Sequence, residues 1–218
     1  MTAVDHPIDH PIDHDVSAAA GSHHEIEAGH PPTSTGLSHE KVAMWAFLGS
    51  ECLLFGGLIS TYLLYKGQSE PGTVTPIDVF DIPYTSVSSF VLLMSSLTMV
   101  LALSSIQRGD HRRTRVWLLT TALLGASFVA GQAYEFTVLV REGLNLRTNL
   151  FGSSFYIMTG FHGVHVTVGV LMLLSLWSLS LKGRLPSAKA EVVELVGLYW
   201  HFVDIVWIVI FTLVYLIP

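Results

Sequence analysis

The chain alternates between long apolar runs and short polar breaks. Five runs stand out, at about Val42–Tyr65, Tyr84–Ile106, Val116–Val140, Ser153–Leu181 and Val193–Ile217. Each reaches the roughly 20 apolar residues that a helix needs to cross a hydrocarbon core. In lipid a spanning segment must satisfy its own backbone, which a helix does unaided. The pattern therefore predicts an all-α integral membrane bundle of five transmembrane helices over residues 41–218.

Residues 1–40 break this pattern. The tetrapeptide DHPI occurs at Asp5–Ile8 and again at Asp9–Ile12, and seven of the eleven histidines (His6, His10, His14, His23, His24, His30 and His39) lie in this stretch. Prolines and acids leave too little apolar surface for a core, so a disordered His/Asp-rich tail is expected. Loose metal capture is the functional reading of the repeats. A solvated tail is favoured over it, because Asp-His repeats without order make weak sites.

Composition agrees with a membrane protein: 50% of residues are hydrophobic and 13% charged. A soluble core of this size would need a far more charged surface. The single cysteine, Cys52, excludes an internal disulfide framework, Fe–S ligation and a cysteine zinc site. No apolar core follows a basic start, so no signal peptide is expected. Nucleic acid is not expected as a partner, since the basic residues make no interleaved aromatic patch.

The basic residues mark a membrane face instead. Lys41, Arg108, Arg112, Arg113, Arg115, Lys182, Arg184 and Lys189 fall on one side of the predicted bundle, and only Lys66, Arg141 and Arg147 on the other. The positive-inside rule then puts the N-terminus inside and the C-terminus outside. The loop Lys66–Pro83, with three prolines and three acids, is expected to lie along the outer surface. Gly56 and Ser60 in the first helix, and Gly163 and Thr167 in the fourth, are spaced for close helix contact.

Against this background, titratable residues inside the apolar runs draw notice. A charge at mid-depth costs about 2.5–3.5 kcal/mol on insertion scales, so it is retained where it faces protein, a cavity or a polar partner. Tyr199–Trp207 reads YWHFVDIVW; His201 and Asp204 lie one helical turn apart, with Glu194 on nearly the same stripe. Glu51 in the first helix and His162 and His165 in the fourth fall at similar depth, about 12–18 Å from a membrane face at 1.5 Å per residue. Gln132 and Glu135 form another pair near the outer end of the third helix. Shared depth motivates the expectation that Glu51, His162, His165, His201 and Asp204 converge, with His162, His165 and Gly169 on one face.

Three chemistries compete with plain helix-to-helix hydrogen bonding. His162 and His165 share one helix and so cannot be opposite axial ligands of one haem. A copper site using both with His201 lacks a neighbouring cysteine or methionine of the usual kind. An independent proton transporter would be expected to show an inverted repeat or an interrupted helix, and neither is evident. No catalytic residue and no metal ligand is assigned.

Four motifs, in order on successive helices, carry a resemblance that covers about Lys41–Pro218. They are Gly49-Ser50-Glu51, then Gln132-Ala133-Tyr134-Glu135-Phe136, then Thr159-Gly160-Phe161-His162-Gly163-Val164-His165-Val166, then Glu194 with Tyr199–Trp207. The chain resembles subunit III of the haem–copper terminal oxidases, in the shorter bacterial form that lacks the first two helices of the mitochondrial one. In the long form those helices make one wall of a lipid-filled cleft.

The resemblance implies an accessory subunit of the bacterial plasma membrane with no redox centre of its own. It implies partners, namely the catalytic subunit I and subunit II, which carry haem a and copper, and cytochrome c as donor to the complex. It also implies bound phospholipid and a supporting role in oxygen reduction and proton translocation. Glu51 matches the family's carbodiimide-reactive glutamate. The quinol-oxidase branch tends to have aspartate at that position and threonine where this chain has Phe161, so both residues favour an aa3-type cytochrome c oxidase over a quinol oxidase.

Overall fold

In the computed structural model, residues 38–66, 82–143, 146 and 150–217 are described. The tail up to residue 37 and most of the expected outer loop (67–81) lie outside them. The described residues form α1 (His39–Tyr65), α2 (Ile82–Gln107), α3 (His111–Arg141), α4 (Leu150–Leu181) and α5 (Ala190–Phe211). A 3₁₀ turn (Ser187–Lys189) precedes α5 and a π-helical turn (Thr212–Leu216) extends it. All five are long and apolar enough to cross a membrane. Among the described residues there is no strand.

Each helix starts somewhat before its apolar run, and polar residues supply the caps of α1 and α3. Ser38 accepts a hydrogen bond from the Lys41 backbone N–H and so begins α1 at His39, inside the stretch assigned above to the tail. Asp110 caps α3 through the Arg113 N–H, drawing the basic segment from His111 into the helix. Between α2 and α3 only Arg108-Gly109-Asp110 intervenes. Gly109 has φ +76°, and the Asp110 N–H reaches back to the Ser105 carbonyl at 3.0 Å. This left-handed glycine cap turns the chain sharply and sets α2 and α3 as close antiparallel neighbours.

The helices form a ring in the order α1, α4, α3, α2, α5, with α4 also touching α5. The core therefore lies among α2, α3, α4 and α5. Its centre is Trp200, fully buried between α3 and α4. A methyl group on Gly125 would come within 2.3 Å of the indole, and one on Gly169 within 2.7 Å. These two glycines make the slot the ring occupies. By contrast, α1 buries a single stripe, Leu48, Phe55 and Tyr62, at heptad spacing. Trp45, Leu53 and Leu64 on its other faces are exposed. The expected close contact at Gly56 and Ser60 is not made among the described residues: Ser60 is exposed and nothing described lies within 4 Å of a Cβ at Gly56. Spacing alone identifies a face that permits close approach, not the helix that uses it.

Candidate functional site

The polar groups at mid-depth form separate sites, and the most chemically capable lies between α1 and α4. Glu51 occupies the α1 face bounded by the buried Leu48 and Phe55, so its carboxylate meets α4. Glu51 Oε2 is 3.1 Å from His165 Nε2, and both side chains keep about 15% exposure (14% and 15%). His165 Nδ1 lies 2.7 Å from the Phe161 carbonyl oxygen. A carbonyl only accepts, so Nδ1 carries a hydrogen. The Nε2–Oε2 contact then holds one further proton, on the imidazole or on the carboxyl. In either arrangement the pair is neutral overall, which suits its apolar surroundings.

Aromatic residues fix this pair. The Phe55 ring sits edge-on to the imidazole at 5.0 Å, and Tyr199 Oη donates to the His165 carbonyl at 3.0 Å. Phe47 stacks on Tyr199 at 6.3 Å. A groove of about 310 Å³ bounded by Met44, Phe47, Val168 and Tyr199 runs past His165.

A second cluster joins α2 and α5. Ser96 donates its hydroxyl hydrogen to Asp204 Oδ2 and faces His201 Nδ1 at 2.8 Å. With that hydrogen given to the carboxylate, His201 Nδ1–H donates to the serine oxygen, leaving Nε2 as an acceptor. Serine, not histidine, is the middle member, so this is not a hydrolytic triad, in which the histidine must bridge. Asp204 is buried, and its Oδ1 meets no donor among the described residues.

The remaining residues singled out by sequence go elsewhere. His162 is fully buried, stacked on Trp207 at 4.8 Å and edge-on to Phe128, with no hydrogen-bond partner for either ring nitrogen among the described residues. Gln132 Nε2 donates to the Thr159 carbonyl at 2.9 Å and ties α3 to α4. Glu135 Oε1 accepts from Thr85 (3.1 Å) and from Tyr215 (2.9 Å). Glu194 pairs with Lys41 Nζ at 2.9 Å, linking the start of α5 to the start of α1.

The expected convergence is thus corrected. Glu51 and His165 meet, and His201 and Asp204 meet, but the two pairs lie on different helix contacts and His162 joins neither. Positions three apart on a helix differ by about 60° in direction. On α4, packed against α1, α3 and α5, that angle sends His165 to α1, His162 to the α3–α5 interior and Gly169 to Trp200. Among the described residues no three His, Cys, Asp or Glu side chains gather closely enough to hold a metal ion. The divergent histidines of α4 do not fit a shared haem or copper either.

Sequence reasoning missed the serines of α2. Trp200 Nε1 donates to Ser95 at 2.9 Å and Trp207 Nε1 to Ser89 at 2.8 Å. Thr98 bonds Thr121 across α2 and α3 at 2.8 Å. The signal was present in the buried positions Thr85, Ser89, Leu92, Ser95, Met99, Ala102 and Ile106, which recur every three or four residues. Hydroxyl and small residues at that spacing mark a buried seam in an apolar helix.

Comparison with known proteins matches residues 26–217 to the family described as cytochrome c oxidase subunit III. Cytochrome c oxidase subunit 3 of Thermostichus vulcanus is 40% identical over 179 residues, covering 81% of this chain and 86% of that protein. Quinol oxidase subunit 3 of Bacillus subtilis (strain 168) is 38% identical over 176 residues, covering 80% and 85%. Cytochrome bo(3) ubiquinol oxidase subunit 3 of Pseudomonas putida is 36% identical over 177 residues, covering 81% and 84%.

Proposed function

The chain belongs to the cytochrome c oxidase subunit III family, and on that premise we propose that it is the accessory third subunit of an aa3-type cytochrome c oxidase. It sits in a bacterial plasma membrane with its N-terminus inside, beside catalytic subunits that carry haem a and copper. The observation that carries the reading is the family match running through all five spans, with relatives that are themselves third subunits of respiratory oxidases. The chain's own contribution is not redox chemistry. The Glu51–His165 pair holds a proton beside an apolar groove, the arrangement expected of a group that supports proton supply to a neighbouring catalytic subunit.

The nature of the electron donor rests on two residues, Glu51 and Phe161, that favour the cytochrome c branch. Quinol oxidase is the second reading, supported by relatives of that type at nearly the same identity. Purifying the tagged chain in mild detergent and recording a reduced-minus-oxidised spectrum tests the main reading. Haem a bands are expected in what comes down with it. A flat spectrum from a stable, intact preparation would overturn the oxidase assignment and favour an independent proton transporter. Turnover with reduced cytochrome c, but not with quinol, is expected of the same preparation.

A further inference from the structure

The end of the bundle at which α1 begins and α2 ends carries a charge imbalance that the contacts above leave standing. At the turn joining α2 to α3, Arg108, Arg112 and Arg113 line a cavity of about 550 Å³. Asp110 answers Arg113 alone: its Oδ2 lies 3.2 Å from Arg113 Nε, and its Oδ1 accepts the Arg113 backbone N–H. Lys182, Arg184 and Lys189, all exposed, belong to the neighbouring connection between α4 and α5. Among the described residues no carboxylate is in ion-pair reach of these three, of Arg108 or of Arg112. Lys41 pairs with Glu194, Arg115 donates to Ser180, and Glu191 accepts from Ser38. Beside the arginines the cavity wall turns apolar, with Val116 and a half-buried Trp117.

The complement lies in the chain's own sequence. Residues 1–37 hold six acids (Asp5, Asp9, Asp13, Asp15, Glu25 and Glu27), six histidines, and no lysine or arginine. Each DHPI repeat sets an aspartate close to a proline and an isoleucine, so it offers a charge to the arginines and an apolar side to the wall. These residues join the bundle at the same end. Ser38 donates to Glu191, which stands one turn beyond Ser187, and a Cβ on Gly109 would lie 3.8 Å from Ser187 Oγ. The point of attachment is therefore within roughly 20 Å of the arginines. A coil as long as the separation of Ile12 from Ser38 has a typical span of about 28 Å. A tether matched to its gap in this way gives an effective concentration on the order of millimolar.

We propose that the segment Asp5–Ile12 docks in this cavity, its aspartates on Arg108 and Arg112 and its prolines and isoleucines against Val116 and Trp117. Guanidinium groups hold carboxylates in a planar, two-pronged way that suits a site of this kind. The docking carries its own pH dependence. Neutral histidines leave the six acids of residues 1–37 uncompensated; six protonated histidines cancel them. An imidazolium is disfavoured beside guanidinium groups, so docking holds these histidines neutral. The docked form is therefore complete above the ordinary histidine pKa of about 6.5 and lost as pH falls below it. His39 and His111 are the bundle's own histidines at this end, and their protonation adds to the basic side. Two such charges do not offset the loss of six. The inference does not depend on the oxidase role.

The test is photo-cross-linking in the full-length chain, purified in mild detergent with the partners that accompany it, with benzoylphenylalanine in place of Ile8. Peptides joining position 8 to residues 108–117 of the same chain are expected in mass spectra at about pH 8. Their yield should fall about fivefold or more at about pH 5.5, as expected for losing two surface ion pairs. The variant Arg108→Gln/Arg112→Gln should show a similar fall at the higher pH. Both arginines are exposed, so its unfolding midpoint should match the parent's. The variant His6→Gln/His10→Gln/His14→Gln should keep the cross-link in acid, a result that general loosening of the bundle would not give. Equal yield from the arginine variant would overturn the docking, as would a yield in the parent that ignores pH. Cross-links to a partner chain in place of residues 108–117 would also overturn it. So would loss of the cross-link on adding phosphatidylglycerol but not phosphatidylcholine, which would give the arginines to a lipid headgroup.

Discussion

The seam between α2 and α5 and the contact between α1 and α4 lie in one bundle, yet they are built differently. At the seam two indoles are buried and each N–H is satisfied by a serine, while glycines of α3 and α4 shape the slot behind Trp200. At the other contact a titratable pair is held by single hydrogen bonds and ring edges, beside an open groove. Lipid tails are as apolar as leucine, so association of helices in a membrane depends on close packing and satisfied polar groups. The seam has both in quantity. The α1 contact has a narrow stripe and a shared proton. Stability is concentrated at the seam, which also holds His201 and Asp204 through Ser96, and the Glu51–His165 pair sits where the packing is thin.

Substitutions separate the two regions. Trp200→Ala removes the centre of the core and should cost about 3–5 kcal/mol, read as a large fall in the detergent-denaturation midpoint of the purified chain. Gly125→Ala places a methyl group against the indole and should cost about 1–3 kcal/mol. In a Trp200→Phe background that cost should shrink, because the clash is with the outer indole ring. If Gly125→Ala were neutral in the parent chain, the slot would not be tight. Ser95→Ala leaves a buried indole N–H without its partner, and about 1 kcal/mol is expected.

Glu51→Ala should move the same midpoint less than any of these. Its effect belongs to function: haem content of the complex intact, with a shorter active lifetime or slower proton uptake. Glu51→Gln sharpens the point, since an amide keeps a hydrogen bond to His165 but cannot hold the shared proton. It should resemble Glu51→Ala in turnover and the parent in stability. Immediate loss of haem a from either variant would make Glu51 a structural residue and erase the contrast. The smallest effect is expected for Glu194→Gln. Its pairing with Lys41 is partly exposed, and surface pairs of this kind contribute little, so both midpoint and turnover should stay unchanged.

Much of the fold was legible because the bilayer imposes a length rule that apolar runs reveal directly. The five runs foretold the five helices, and the caps at Ser38 and Asp110 account for the earlier starts of α1 and α3. Pairing along one helix was partly legible: His201 and Asp204 do share a partner, as their spacing suggests. Partners on other helices were not. Nothing in the local pattern says that Glu51 faces His165 while His162 turns to Trp207, or that Ser96 lies between His201 and Asp204.

The sequence by itself therefore determined the number of spanning helices, the residues that had to find polar partners, and the family to which the motifs belong. Tertiary structure alone decided which partner each found. Helix direction changes by about 100° per residue, so a small difference in how a helix is rotated in the bundle reassigns every side chain to a new neighbour. Interhelical packing sets that rotation, here through one tryptophan seated between two glycines.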